Sequence, residues 1–380
     1  MNFQYTEEHE MIRKVARDFA QRELLPGVID RDEKMEIATE QIKQMAELGF
    51  LGMMVDTKYG GGGMDTVSYI IAMEEISKID NSCSVCMSVN NSLVCWGIEM
   101  FGTEEQKQKF LVPLAKGEKI GAFCLSEPEA GSDATSQRTT AIDKGDHYVV
   151  NGTKNWITNG KQAATFIVIA QTDAEKKHRG INAFLVDADA KGVSTGVKEH
   201  KLGIRSSDTC SVMFQDVIVP KENRIGEDGF GFKFAMKVLS GGRIGIAAQA
   251  LGIAAGAYEL SLKYSKEREA FGKPISQHQA IQFKLADMAT EIEAAQLLVT
   301  KAAVLKDEGK NIDQVAAMAK VFASEVAMKT TIEAVQVHGG YGYVHEYHVE
   351  RLMRDAKITQ IYEGTSEIQR MVIARGILKA

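Results

Sequence analysis

The sequence predicts an α+β protein in three consecutive parts: an N-terminal all-α domain over 1–120, a middle β domain of barrel or sandwich type over 121–228, and a C-terminal helical domain over 229–380. Three observations predict it. Apolar residues recur at helical spacing in the first third. Short β-branched and aromatic runs, punctuated by Asn-Gly pairs, fill the middle. Beyond residue 230 a heptad pattern is sustained over a helix of about 30 residues, which suits a bundle or a subunit interface.

In the first third, Ile12, Val15 and Phe19 share a helical face, with Arg13, Lys14, Arg17 and Asp18 on the other. Ile42, Met45 and Leu48 repeat the pattern, and Gly49 stops that helix. Tyr59 and the glycines from Gly60 to Gly63 form a flexible turn, and no Gly-Lys-Ser/Thr follows, which excludes a P-loop. Tyr69, Met73, Ile76 and Ile79 give another amphipathic helix. A further one starts after Thr103, with Glu104 and Glu105 in its first turn and Pro113 near its end.

Strands are expected at 121–125, 147–150, 155–158, 165–170, 181–186 and 212–219, the last closed by Pro220. Asn151-Gly152 and Asn159-Gly160 are hairpin-turn signals, so 147–170 reads as a meander. Ile281, Leu285, Met288, Ile292, Ala295, Val299 and Ala302 then alternate steps of four and three. Val315, Ala319, Phe322 and Val326 mark a further helix, ended by His338-Gly339-Gly340.

Hydrophobic residues make up 44% of the chain and charged ones 25%, the balance of an ordinary globular protein. A net charge of -6 argues against nucleic acid, whose phosphates need a basic face. Met1 opens a polar, acidic stretch without the features of a signal or transit peptide. The longest weakly polar run, 244–258, is too short to span a bilayer. The expected location is cytoplasmic, with no membrane partner. Cys83 and Cys86 form one C-x-x-C with no second pair at zinc spacing, and His345 and His348 lack a supporting carboxylate pattern, so no metal is expected.

Candidate chemistry lies in a few stretches. The segment from Phe123 to Ser132 leaves a strand, turns at Pro128 and Gly131, and offers Ser126 and Ser132; it is either a plain β-turn or a loop holding a polar ring edge or an anion. Trp156 and Thr158, two apart on a strand, face one side: a core Trp beside a surface Thr, or an aromatic plane and a hydroxyl for a flat heterocycle. Arg268 and Gln279 flank a Gly-Lys-Pro turn and suit a pyrophosphate, or Arg268 satisfies helix-end carbonyls. Gly339 and Gly340 allow close backbone approach or cap a helix. Finally, Glu363 precedes Gly364, and Thr365 and Ser366 can cap the next helix with Glu367 in its first turn. That stretch is a simple helix start with a solvated Glu363, or a loop that presents a carboxylate.

In order along the chain, Phe123 to Ser132, Asn155-Trp-Ile-Thr-Asn-Gly160, Arg268 to Lys273, Gln336 to Gly340 and Ile361 to Gln369 resemble the motifs of the acyl-CoA dehydrogenase family. The run Met87 to Leu93 and the segment Gly242 to Gly252 are most similar to its short-chain, butyryl-CoA branch. The resemblance covers essentially the whole chain. It implies a C-terminal four-helix bundle, a homotetramer and FAD held between the β domain and that bundle. It assigns Phe123, Leu125, Ser126, Gly131, Ser132, Trp156, Ile157 and Thr158 to the flavin ring. Arg268, Phe271, Gln279, Gln336, Val337, His338, Gly339 and Gly340 would hold the pyrophosphate and adenosine of a neighbouring subunit's FAD. Thr365, Ser366 and Glu367 would close the cofactor site. Ser132, Ser240, Gly241, Gly242, Arg243 and Gly364 match substrate contacts.

Glu363 matches the family's catalytic base, and the family uses the backbone NH of that glutamate to stabilise the thioester oxygen. Some branches carry the base at the position of Gly242, where a glycine cannot serve. The implied reaction is α,β-dehydrogenation of a short acyl-CoA, butyryl-CoA to crotonyl-CoA or the reverse, with electrons exchanged with an electron-transfer flavoprotein. Alternatives are a substrate of another length or branching, an acyl-CoA oxidase, and a helical scaffold without catalysis. Gly242, Ile246 and the neighbourhood of Tyr362 are the candidates for pocket depth.

Overall fold

The computed structural model describes residues 5–378. The N-terminal part contains α1 (Glu7–Phe19), α2 (Val28–Lys34), α3 (Thr39–Glu47), α4 (Thr66–Ser77), α5 (Asn81–Ser88), α6 (Trp96–Phe101), α7 (Glu104–Gln106) and α8 (Val112–Ala115). A π-helical stretch, Val89–Cys95, joins α5 to α6. Thr6 and Thr103 cap α1 and α7, and each is answered three residues on, by His9 and Gln106, in a reciprocal capping box.

Two helical expectations need correction. α4 is not amphipathic: all of its residues are buried, because α1, α5 and, from the C-terminal part, the long helices α9 (Gly231–Glu267) and α10 (Gln279–Asp307) cover it on different sides. Ile79 lies beyond its end. In α1, Val15 is exposed while Ala16 is buried, and Arg13 and Arg17 reach the buried Glu75 instead of facing away from the core.

The middle part is one sheet of β1 (Gly121–Cys124), β2 (Thr140–Asp143), β3 (His147–Thr158), β4 (Thr165–Gln171), β5 (Ile181–Asp187), β6 (Val193–Thr195), β7 (Thr209–Pro220) and β8 (Arg224–Ile225). Its order is β6-β7-β3-β2-β4-β5-β8, with β1 parallel to β4. The expected meander is therefore wrong, since β3 pairs with β7 and β2, and β4 pairs with β5. Asn151-Gly152 lies inside β3 at a bulge. There Gly152 passes so close to Thr139 that a Cβ would fall 2.4 Å from its hydroxyl. The glycine permits close approach there and makes no turn.

β4 and β5 read as unbroken apolar runs because both faces are covered. Ile167, Ile169, Ile181 and Leu185 pack with Phe234 and Val238 of α9, while Phe166, Val168, Phe184 and Val186 pack with Tyr148, Val212 and Phe214 inside the β domain.

The C-terminal part continues from α9 through a tight hairpin, β9 (Glu269–Ala270) with β10 (Lys273–Pro274), to α10 (Gln279–Asp307), α11 (Asp313–His338), α12 (His348–Thr359) and α13 (Ser366–Leu378). α9, α10 and α11 pack on one another, and α12 and α13 complete the bundle against α11. Met288, Ala295, Val299 and Ala302 of the heptad are buried. α9 is long and apolar enough to cross a membrane, yet 94% of its apolar window is buried inside the protein. Its glycines admit the neighbouring backbone: a Cβ at Gly252 would lie 2.4 Å from the Glu74 carbonyl oxygen, and one at Gly256 2.6 Å from that of Lys78.

Candidate active site

The turn between α12 and α13 carries Glu363 in the left-handed region, φ 51°, followed by Gly364 at φ 93°. Thr365 caps α13 by accepting from the Ile368 amide at 3.4 Å. Lys320 Nζ donates to the Gly364 carbonyl at 2.8 Å, and Gln369 Nε2 donates to the carbonyls of Glu363 and Gly364 at 3.1 and 2.8 Å. Tyr362 donates its hydroxyl to Gln249 Oε1. Gln249 in turn donates to Ser84 Oγ at 2.8 Å and the Asn81 carbonyl at 3.0 Å.

The Glu363 carboxylate is folded inward onto α9. A Cβ at Gly242 would stand 2.2 Å from Glu363 Oε2 and 2.6 Å from Leu93 Cδ2, so the carboxylate occupies the space of the missing side chain. Oε2 is buried and has no hydrogen-bond partner among the described residues. Burial pushes the carboxyl up to about 7, and the positive charges of Lys320 and Arg243 oppose that rise. Lys320 is fully buried on α11, which brings its own value down to about 8. Arg243 is buried beside Ser240, whose hydroxyl lies 2.7 Å from Asp313 Oδ1; its Nε has no partner among the described residues. A Cβ at Gly241 would lie 3.9 Å from Lys306 Cε. Ile246 is fully buried on α9.

A second group of residues meets at the edge of the β domain. Lys154, fully buried, donates to Glu127 Oε1 at 2.8 Å, to Gln137 Oε1 at 3.0 Å and to the Leu125 carbonyl at 3.0 Å. The Asn155 amide donates to the Ser126 carbonyl at 2.8 Å. These bonds tie the Phe123 to Ser132 loop to the end of β3. A second bulge lies here, between Lys154 and Ile157, with Trp156 at φ 61°. Beyond the bulge, Ile157 and Thr158 pair regularly with Cys210 and Thr209. Trp156 is 60% exposed, so it is not a core tryptophan, while the Ile157 side chain is buried. Ser132 and Gly131 are exposed, and nothing lies within 4 Å of a Cβ at Gly131. Phe123, Leu125, Leu93 and Tyr362 belong to one apolar cluster, which joins this loop to the Glu363 turn.

The third group sits apart. Arg268, His338, Gly339, Gly340, Tyr341 and Tyr347 line a cleft of about 740 Å³. His338 is buried, stacks on Tyr264 at 4.3 Å and hydrogen-bonds the Ala334 carbonyl at 2.8 Å. The Val337 side chain packs inward with Ile275 and Met288, leaving only its backbone for a ligand. The Arg268 guanidinium lies 5.5 Å over the Tyr341 ring and pairs with no carboxylate among the described residues. Gln279 and Gln336 are exposed, and Phe271 stands out from the β9–β10 turn at 95% exposure. At the start of α13, Ser366 is buried and Glu367 exposed.

Sequence reading missed Lys320, Gln369, Lys154 and Glu127. Lys320 lies four residues after Ala316 and three before Ala323, on the buried stripe of α11, so its helical position was the available signal. Lys154 is in step with the buried Tyr148 and Val150 on β3, so strand alternation was the available signal.

Three family models match the chain: "Acyl-CoA dehydrogenase, N-terminal domain" over residues 6–118, the middle domain over 122–217 and the C-terminal domain over 229–378. The short-chain specific acyl-CoA dehydrogenase of Clostridium acetobutylicum is 51% identical over 379 residues, covering 100% of both chains. The solved butyryl-CoA dehydrogenase of Megasphaera elsdenii superposes with a TM-score of 0.98 at 50% identity, covering 100% of each chain. A chain solved in work on the electron transferring flavoprotein of Acidaminococcus fermentans and flavin-based electron bifurcation superposes at 0.99 with 52% identity, again over 100% of each. With all three family domains in register and half of its residues shared with short-chain relatives, the chain belongs to the acyl-CoA dehydrogenase family.

Proposed function

We propose that the protein is an FAD-dependent dehydrogenase of short straight-chain acyl-CoA thioesters, butyryl-CoA being the substrate, with Glu363 as the base. The observation that carries this reading is the buried, unpartnered Glu363 Oε2 seated against Gly242, with its carboxyl raised to about 7. A proton α to a thioester is weakly acidic, so its acceptor must be close, desolvated and tuned upward. The Glu363 amide makes no hydrogen bond among the described residues and is free to donate to the thioester oxygen as charge builds there. Arg243 and Lys320 keep the carboxylate accessible in its charged form at neutral pH. Leu93, Tyr362 and the wall of α9, which share one apolar cluster, would shield the acyl chain from water.

The residues present fit FAD. Gly131, Gly339 and Gly340 leave open space for close approach, Trp156 presents an uncovered ring beside the Ser126 loop, and Arg268, stacked over Tyr341, pairs with no carboxylate among the described residues. Phe123, Leu125, Ser126, Ser132, Trp156 and Thr158 would hold the ring, with Ile157 contributing backbone. Arg268, Phe271, Gln279 and Gln336 to Gly340 would hold the remainder, donated by a neighbouring subunit of a homotetramer. Bound there, FAD supplies the acceptor for the β-hydride. The likeness to a chain solved alongside an electron transferring flavoprotein supports such a protein as the redox partner, with the reaction running in either direction. A cytoplasmic location, in keeping with the likeness to bacterial short-chain relatives, completes the reading.

Anaerobic addition of butyryl-CoA to the yellow protein is expected to bleach the flavin band. Glu363→Gln is expected to keep FAD and fold while losing all but a few per cent of the bleaching rate. An unbleached band in the wild-type protein would exclude the four-carbon substrate and direct the same titration to other acyl chains. Rapid oxygen consumption without a partner protein would favour an oxidase.

A further inference from the structure

Among the described residues, neither Glu363 nor Gly364 makes a backbone–backbone hydrogen bond; Tyr362 donates to the Ile358 carbonyl at 3.1 Å before the turn, and Ser366 donates to the Gln360 carbonyl at 3.0 Å across its base. A non-glycine residue in the left-handed region costs about 1–2 kcal/mol, and it persists only where its surroundings over-determine it. Here the surroundings are two side chains. Gln369, fully buried at the start of α13, takes both carbonyls of the turn, and Lys320, fully buried on α11, takes the second. Gly364 O is the hydrogen-bond partner of Lys320 Nζ among the described residues, so a buried amine is committed to this turn.

We infer that Lys320 and Gln369 are positioning residues for proton abstraction: they grip the carbonyls of the turn from behind, which sets the Glu363 carboxylate against Gly242 and leaves the Glu363 amide unspent for the substrate. The inference rests on Glu363 being the base. Neither side chain touches substrate; each acts through the turn. Lys320 also carries charge. The groups facing it are Glu363 on the turn, Arg243 on α9 and Glu367 on α13: the two carboxylates favour its charged form, and burial and Arg243 oppose it. Losing the ammonium removes one of the two cations that hold Glu363 ionised.

The test is anaerobic stopped-flow bleaching by butyryl-CoA, expressed per bound flavin, across neutral pH, with Glu363→Gln run in parallel. Lys320→Met and Gln369→Met are each expected to slow bleaching at saturating thioester by roughly 10- to 100-fold, as loss of near-attack geometry does. The half-saturating concentration is expected to stay within about twofold, since ground-state binding is not what they support. Lys320→Met is also expected to move the apparent pKa of the rate upward, and Gln369→Met to leave it in place. Rates per bound flavin that match wild type in both variants would overturn the inference and mark the two as structural. Should Lys320→Met fail to fold, Gln369→Met alone decides the positioning role. If Glu363→Gln bleaches at the wild-type rate, the base itself is misassigned and the inference falls with it. If Glu363→Gln is inert while both Met variants are normal, only the inference falls.

Discussion

At Glu363 one atom decides the chemistry. Oε2 lies in the space that any residue but glycine would take at 242, so the base and a side chain there are mutually exclusive. Gly242→Ala is expected to displace the carboxylate and cost roughly 100-fold in bleaching rate, the scale of an ångström-sized misplacement. The protein should meanwhile keep its flavin. The raised carboxyl gives a second expectation. Only the ionised form accepts a proton, so kcat/KM should fall roughly tenfold per pH unit below an apparent pKa near neutrality and level off above it, following the value of about 7 set by burial. A profile flat down to the ordinary carboxylate range would contradict it. Glu363 was legible in the sequence because Ile361 to Gln369 resembles a family motif. Lys320 was not, because a lone lysine among small apolar residues reads as the solvent side of a helix until packing shows which side is covered.

Among the elements, β3 shows where pattern reading stops. Its two bulges shift the register, so an Asn-Gly that signals a turn became a close-packed crossing and Trp156 took a left-handed backbone. Alternation along a strand is a local rule, and the neighbouring chain decides whether it is kept. Helices were more legible: the heptad from Ile281 forecast a helix of the length found, 29 residues. The bulge is held by the buried pair of Lys154 and Glu127. Burial pushes the Glu127 carboxyl up, and Lys154 with the Arg138 and Thr139 amides outweighs it, so the carboxyl lies below its ordinary value. Lys154→Met would strand that charge inside the protein. It is expected to destabilise the fold by about 3–5 kcal/mol, read from the denaturant midpoint. A midpoint within error of wild type would show that water reaches Glu127.

For the whole molecule, the sequence carried the helical, β, helical order, since each part has its own hydrophobic period. It did not carry the strand order, which depends on pairings between distant segments. That the motif residues divide between the Glu363 turn and a separate cleft around Arg268 was legible through the resemblance to the family, and through no hydrophobic period. Phe271 expresses that division: it is a large apolar ring at 95% exposure, and its aromatic contact among the described residues is edge-on with His278 at 5.9 Å. Phe271→Ser is therefore expected to leave the unfolding midpoint unchanged and to lower flavin retention on gel filtration. Unchanged retention would place the ring away from the cofactor.

The glycines of α9 have a consequence beyond the packing they permit. Gly252 and Gly256 rest directly on carbonyl groups of the chain at the end of α4, and Gly242 lies some 15 Å up the same rod from Gly252 at 1.5 Å per residue. A helix has little give along its axis. The clearance at Gly252 thus acts as a gauge block for the distant carboxylate: thicken it by one methyl and the seat under Glu363 moves, though nothing near the substrate has been altered.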